Sequence, residues 1–158
     1  MKRFLNGLLA GAVATVPMSL VMQVLHRFPT REPQALPPEQ ITQTLAEAAA
    51  AQVGSGKRPD QPQLQALTLA NHFGFGASMG GVYALLRPRV PAPAVLKGAA
   101  WGLVVWSLSY LGWVPAARIL PPATRQSPRR NFLMIAAHLV WGVSTALVVE
   151  HLAPDEKA

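Results

Sequence analysis

Two histidines begin the same short pattern in two different apolar stretches of the sequence. His72 opens an H-x-x-x-G-x-S pattern that ends at Ser78, and His138 opens the same pattern ending at Ser144. Asn71 directly precedes the first histidine. An imidazole can bind a metal or haem iron, relay a proton, or donate a hydrogen bond to a backbone carbonyl. These five side chains are therefore the candidate site.

The sequence leaves three roles open for the two histidines. Two histidines at equal depth can coordinate the iron of haem b as its axial ligands, and Gly74 and Gly76 would leave room for a porphyrin edge. A proton or ion path is the second role, and its polar track comprises Asn71, His72, Ser78, Ser107, Ser109, Tyr110, His138 and Ser144. The third role is packing, in which each neutral imidazole joins neighbouring helices through a hydrogen bond.

Enzymatic chemistry finds little support in the residue types. The chain has no cysteine, no HExxH zinc motif and no nucleotide-binding glycine loop after a strand. A serine beside a histidine lacks a carboxylate to orient the imidazole, and two histidines alone make an incomplete metal site. We therefore expect no catalytic residue and no metal site, and the cofactor stays unknown.

Membrane-spanning helices are the elements that must position these residues. The chain has 158 residues, of which 51% are hydrophobic and 13% charged, and its mean hydropathy is +0.25. One crossing of the bilayer needs about 20 mostly apolar residues. Four stretches reach that length, at about 4–25, 64–86, 95–117 and 132–152. The sequence predicts one all-α membrane domain over 1–158, a bundle of four transmembrane helices.

The first loop, 27–63, is the longest segment outside the predicted spans. Pro37 and Pro38 suit the start of a helix, and Glu39 suits the positive end of the helix dipole. Ile41 and Leu45 give this segment a weak apolar stripe, so it predicts a short amphipathic helix. Lys and Arg flank the spans on both sides of the membrane, and the positive-inside rule does not fix the orientation.

Small residues recur at four-residue spacing in each of the four stretches. Helices in lipid associate through such small surfaces, because lipid tails are as apolar as leucine side chains. The pattern predicts close helix packing within a bundle or an oligomer. The residues expected to pack in this way are Gly7, Gly11, Gly76, Gly80, Gly98, Gly102 and Gly142, the last with Ala146.

The order of motifs suggests that the chain consists of two similar halves. Each half has a glycine-rich span, a loop with Leu-Pro-Pro, and a span with the H-x-x-x-G-x-S pattern. The second and fourth spans would run in the same direction, since two crossings separate them. His72 and His138 are then expected at matching depth, about four residues or roughly 6 Å from the middle of the bilayer.

Four arginines surround the second Pro-Pro loop on the side toward which both histidines are displaced. At the level of the lipid headgroups they can bind anionic lipid or pair with haem propionates. The net charge of +7 is spread over both faces of the membrane, which argues against nucleic-acid binding. The four are Arg118, Arg125, Arg129 and Arg130.

The sequence is similar to small bacterial inner-membrane proteins of the YagU type, a domain of unknown function. The similar features are His72, Gly81-Val82-Tyr83, Lys97-Gly98, Pro121-Pro122 and His138-Leu139-Val140-Trp141. The resemblance covers most of the chain through short motifs, and the first loop differs. It implies a location in the bacterial inner membrane with both termini in the cytoplasm, and it implies no reaction.

The sequence as a whole predicts a multi-pass membrane protein with a structural or accessory role. Its expected partners are membrane lipids and either further copies of itself or another membrane protein, contacted through the glycine faces. A bis-histidine haem or redox module is the first alternative. A small proton or ion transport protein is the second.

Overall fold

The structure, a computed structural model, describes residues 1–27, 36–52, 59–86 and 91–152. These residues form helices and no strands, which confirms the predicted all-α class. Parts of the first loop, 28–35 and 53–58, lie outside the described residues. The elements are α1 Lys2–His26, α2 Pro37–Gln52, α3 Gln61–Leu86, α4 Ala94–Ser107, a π-helical segment Leu108–Trp113, α5 Val114–Ala116, a 3₁₀ turn Ala123–Arg125, and α6 Pro128–Leu152.

Three stretches of helix are long and apolar enough to cross a membrane. They are Lys2–Leu25, Ala94–Ala116 and Pro128–Leu152, and they indicate a membrane location. Helix α3 is as long as the others, with 26 residues. Its first half is more polar, because it carries three glutamines before Asn71 and His72. Of the four predicted spans, three thus have the length and apolar composition to cross a membrane. The short helix predicted in the first loop is present as α2.

The third apolar stretch is not one uniform α-helix. Pro115 has no N–H to donate to the carbonyl of Leu111, and its ring would clash with that carbonyl in a regular helix. The chain widens to a π-helix just before the proline, where the N–H of Val114 donates to Ser109, five residues back. Gly112 leaves the helical region of backbone angles there, with φ −107° and ψ −106°. The wide turn alters which side chains of this stretch point inward.

Helices α1 and α6 pack along each other in the middle of the bundle. Helix α3 lies against α1, and α4 lies against α6. Rings of α3 and α4 also meet, since the centroids of Tyr83 and Trp101 are 6.0 Å apart. The chain is therefore a bundle of two antiparallel hairpins, α1 with α3 and α4 with α6.

Each hairpin is held by close backbone contact at glycines. In the first seam, a Cβ built on Gly11 of α1 would overlap the carbonyl oxygen of Gly76 and lie 2.9 Å from the Cα of Gly80, both in α3. A Cβ on Gly7 would likewise overlap the carbonyl oxygen of Gly80 and lie 2.6 Å from the Cβ of Ala84. Only residues without a side chain allow the helices to approach so closely.

The second seam joins α4 to α6 in the same manner but in a different register. A Cβ on Gly98 would overlap the carbonyl oxygen of Gly142 and lie 2.8 Å from the Cβ of Ala146, and one on Gly102 would overlap the carbonyl of His138. Gly142 and Gly76 hold the same place in the H-x-x-x-G-x-S pattern. The carbonyl of Gly142 meets Gly98, the first glycine of its seam in α4, whereas the carbonyl of Gly76 meets Gly11, the second in α1. The register in which the two helices pair thus differs between the two hairpins by about one helical turn.

The seams occupy the glycine faces within a single chain, and the faces that point outward carry larger apolar side chains. One stripe follows α1 at intervals of three or four residues, and each member is about half exposed. The stripe consists of Leu5, Leu9, Val13, Val16, Leu20 and Val24. A similar stripe follows the third apolar stretch, at Val95, Leu96, Leu103, Val104, Leu108 and Leu111. Such faces suit contact with lipid.

Polar contacts tie the helices together at both ends of the bundle. At the amino-terminal end, Asn6 donates to the carbonyl oxygen of Leu152 at 3.3 Å, and Lys97 pairs with Glu150 at 3.4 Å. The opposite end, called here the α2 end, contains α2 and the turn between α5 and α6. There the guanidinium of Arg130 donates to Oε1 of Gln40 at 2.6 Å.

Candidate functional site

A cavity of about 330 Å³ lies inside the bundle beneath α2. We call it the central cavity. Its lining is largely apolar and contains no Asp, Glu, Lys or Arg among the described residues. The lining residues come from every long helix and from the π-helical segment: Thr15, Met18, Pro38, Ile41, Thr42, Leu45, Asn71, His72, Phe75, Gly76, Val105, Ser109, Tyr110, Trp113, Val114, Met134, His138 and Trp141.

Both histidines line the central cavity. Contacts along α1 show their relative depth, because α1 packs on both α3 and α6. Gly76, one turn after His72, meets Gly11 of α1 in the first seam. Trp141, nearly one turn after His138, donates from its indole to the carbonyl of the same Gly11 at 3.2 Å. The two histidines therefore lie within about one turn, or roughly 5 Å, of the same depth.

His138 is held in a fixed orientation. Its side chain is 5% exposed, and its Nδ1–H donates to the carbonyl oxygen of Met134 at 2.7 Å. The ring of Tyr110 stands perpendicular to the imidazole with the centroids 5.9 Å apart. A carbonyl oxygen only accepts hydrogen bonds, so the proton of the neutral ring resides on Nδ1. Nε2 then carries a lone pair.

His72 and Asn71 lie at the edge of the cavity nearest to α2. His72 is half-buried, while Asn71 is more exposed and its amide approaches Oγ1 of Thr42 at 3.4 Å. The two histidines differ in burial because of the register of the seams. The backbone of His138 lies inside the second seam, whereas His72 lies one turn beyond the contacts of the first.

The π-helical segment contributes three lining side chains, and of these the sequence analysis did not combine Trp113 with the histidines. Ser109 and Tyr110 are buried at the cavity wall, and Trp113 approaches Phe75 with ring centroids 6.2 Å apart. The sequence analysis included Ser109 and Tyr110 only as members of a polar track. Gly112 and Pro115 were the available signal, since a glycine and a proline so close together disfavour a regular helix.

Trp141 separates the central cavity from the first seam. It is the largest fully buried side chain, and its indole lies at the junction of α1, α3 and α6. A Cβ built on Gly76 would come within 3.3 Å of the indole nitrogen. Trp141 belongs to the His-Leu-Val-Trp motif, which is one of the features that carry the family resemblance. The sequence did not indicate its contact with Gly11.

Helix α2 covers the cavity with one face and borders a second depression with the other. Ile41, Thr42 and Leu45 face the central cavity. The opposite face of α2 lines an outer groove of about 620 Å³, called here the polar groove. The groove is completed by the turn before α6, and its lining residues are Gln40, Gln43, Thr44, Glu47, Leu120, Pro121, Arg125, Gln126, Ser127 and Arg130.

Two of the five candidate site residues do not reach the cavity. Ser78 is exposed on α3 and donates to the carbonyl of Gly74 in its own helix at 2.8 Å. Ser144 is half-buried on α6 and is not among the lining residues. The structure thus brings together His72, His138 and Asn71, and it separates both serines from them. The described positions do not join the predicted polar track into one continuous path.

The four arginines lie at the α2 end, outside the central cavity. Arg118 is exposed, and its backbone φ of 58° is that of the left-handed residue that ends α5. Arg125 and Arg130 line the polar groove, on the other face of α2 from the histidines. Arg129 donates to the carbonyl of Leu25 at 3.3 Å.

The described residues give little support to a bis-histidine haem. The cavity volume is at the small end of the range of roughly 300–1,000 Å³ for ligand pockets. Gly74, expected beside a porphyrin edge, lies on the exposed face of α3, and Gly76 is closed off by the hydroxyl of Thr15. None of the four arginines expected to pair with propionates is among the lining residues of the cavity. Within the described residues, no three His, Cys, Asp or Glu side chains are grouped as metal ligands.

Comparisons with known proteins give a family but no reaction. Residues 20–147 match a family described as a protein of unknown function, DUF1440. The match includes α2, α3 and the third apolar stretch, together with both histidines, and it is compatible with the YagU-type resemblance. A search of curated proteins and a search of solved structures each find no match. Because the match covers most of the sequence, the chain belongs to the DUF1440 family.

Proposed function

We propose that the protein is a four-crossing membrane protein that binds a small, largely apolar molecule inside its helix bundle. In this role it is an accessory protein rather than an enzyme. The central cavity carries the proposal, because all four long helices and α2 line it. Pockets with mostly apolar walls and a few convergent polar groups are typical ligand sites.

The arrangement of the two ends supports α3 as the fourth crossing. Helix α2 and the turn before α6 line one groove, so they lie at the same end of the bundle. Helix α3 begins at that end, beside α2, and its later residues Gly80 and Ala84 meet Gly7 at the other end. Its polar residues Asn71 and His72 line the cavity. Helix α3 therefore covers the same depth as α1.

Cysteine labelling tests the number of crossings, because the native chain has no cysteine. The exposed positions Gln43, Pro91 and Thr124 are changed singly to cysteine and treated with a membrane-impermeant maleimide in spheroplasts and in inverted vesicles. Four crossings place Gln43 and Thr124 on one side and Pro91 on the other. With both termini in the cytoplasm of an inner-membrane protein, Pro91→Cys reacts only in inverted vesicles. Three crossings would instead group Pro91 with Gln43.

Binding inside the cavity is tested with naphthalene, which has no polar atoms. We expect saturable binding to the full chain in lipid nanodiscs, measured by equilibrium dialysis against empty nanodiscs. Val105 is 3% exposed and lines the cavity, so Val105→Trp should fill it and weaken binding by about tenfold or more. Val104 is 44% exposed on the same helix, and Val104→Trp is the matched control. Equal binding by both variants would contradict the proposal.

Partners are expected at the outward faces of the bundle. The glycine faces are already used in the two seams, so another copy or another membrane protein would contact the leucine and valine stripes of α1 and of the third apolar stretch. Lipid tails are the simplest occupants of those stripes. The exposed Arg118 and Arg125 at the α2 end suit the headgroups of anionic lipids.

A further inference from the structure

We propose that the ligand of the central cavity is an uncharged aromatic hydroxyl compound, of the phenol or hydroquinone class, whose hydroxyl donates to Nε2 of His138. This inference rests on the proposed function and names the chemistry of its ligand. Four features carry it: the tautomer of His138, the use of the other polar groups, the aromatic walls and the lack of charge.

The tautomer decides which hydrogen bond His138 offers to a ligand. Its Nδ1–H is engaged with the carbonyl of Met134 at 2.7 Å. An imidazolium in this position would be a buried charge without a carboxylate among the described lining residues, which is costly. The ring is therefore uncharged, and its remaining nitrogen is an acceptor. A ligand that meets it must supply a donor.

Three other polar side chains of the lining already donate within the protein. The hydroxyl of Thr15 donates to Gly11 at 2.8 Å, and the hydroxyl of Thr42 donates to Pro38 at 2.9 Å. The indole N–H of Trp141 donates to Gly11 as well. The acceptor on His138, with the Tyr110 ring against it, is thus the best-defined polar feature that a ligand can meet.

The remaining walls favour a flat, apolar ligand. Phe75 and Trp113 form one aromatic pair and Tyr110 stands at another wall, while Met18 and Met134 supply adaptable thioethers. No Lys or Arg side chain is among the described lining residues, so the lining suits an uncharged ligand better than a carboxylate or phosphate. The volume of about 330 Å³ limits the ligand to a few rings.

Two probes that differ in one hydroxyl proton test whether the ligand must donate a hydrogen bond. 2-Naphthol can donate to Nε2 of His138, whereas 2-methoxynaphthalene has the same ring system and oxygen but no donor. Equilibrium dialysis of the full chain in nanodiscs, with empty nanodiscs as blank, is expected to show about tenfold tighter binding of 2-naphthol. The methoxy probe would leave the buried acceptor without a partner.

Three variants assign the preference to His138. His138→Phe should bind both probes alike, because it keeps an aromatic ring and removes the acceptor. His138→Gln should retain part of the preference, since its amide oxygen can accept. Ser144→Ala, on the same helix but outside the cavity, should behave as the native chain. Thermal unfolding of each variant verifies that the bundle is intact.

The outcomes separate this inference from the proposed function. Equal binding of the two probes by the native chain would overturn the hydroxyl requirement, while saturable naphthalene binding would still support the cavity as a ligand site. A preference that persists in both His138 variants would overturn the role of His138. No saturable binding of any probe would overturn the inference and the proposed function together.

Discussion

Gly11→Leu is expected to lower the free energy of unfolding of the bundle by about 3 kcal/mol. A Cβ at this position would overlap the backbone carbonyl of Gly76, which has no flexible end that can move aside. The leucine must therefore push α1 and α3 apart along the whole first seam. SDS titration of the purified chain in mixed micelles, followed by circular dichroism, measures the loss.

Gly74→Leu is the matched control for this substitution. Gly74 lies in α3, two residues before the Gly76 that meets Gly11, but a Cβ built there meets nothing within 4 Å. We expect its free energy of unfolding to remain within about 0.5 kcal/mol of the native value. Similar losses for the two leucine variants would mean that helical glycine content, rather than the seam, determines stability.

Trp141→Ala should produce the second large effect, a loss of about 3 kcal/mol in the free energy of unfolding. The side chain is 2% exposed and fills the junction of α1, α3 and α6, so its removal enlarges the void next to the central cavity. In lipid the cost comes mainly from lost packing contacts. The expected loss is therefore at the low end of the range for replacing a buried aromatic side chain by alanine. The carbonyl of Gly11 also loses one of its donors and keeps the hydroxyl of Thr15.

Two further variants divide this effect into its parts. Trp141→Phe keeps most of the volume and removes the hydrogen bond to Gly11, for an expected loss of about 1 kcal/mol. Trp113→Ala removes the same type of side chain from a position that is 43% exposed, so the loss should be clearly smaller than for Trp141→Ala. If Trp113→Ala proved as damaging, the proposed packing role of Trp141 would be wrong.

The sequence predicted the helices well because their signal is local. The stretch 4–25 became Lys2–His26, and 132–152 lies within Pro128–Leu152. Apolar length and the glycine spacing are properties of single helices, and they can be read without knowing the neighbours. The matching depth expected for His72 and His138 came from counting crossings, which also needs no tertiary contact.

The structure has other features that the sequence motifs alone did not predict, because they depend on helix geometry or on contacts between elements. Ser78 belongs to the same sequence pattern as His72, but six residues turn a helix by roughly 240°, so the two side chains point to different faces. The π-helical segment reflects a conflict between Pro115 and the carbonyl of Leu111. The cavity itself depends on where α2 packs, and α2 carries only a weak apolar stripe.

Because of the positions of the two seams, the interior of the bundle is packed differently at its two ends. Backbones touch between the central cavity and the amino-terminal end, at Gly11 with Gly76 and at Gly98 with Gly142, so the two helices of each hairpin leave no gap between them there. Toward the α2 end the same helices are separated by side chains and covered by one short helix. In the proposed membrane arrangement, a guest molecule would therefore enter and leave at the α2 end, through one leaflet of the bilayer.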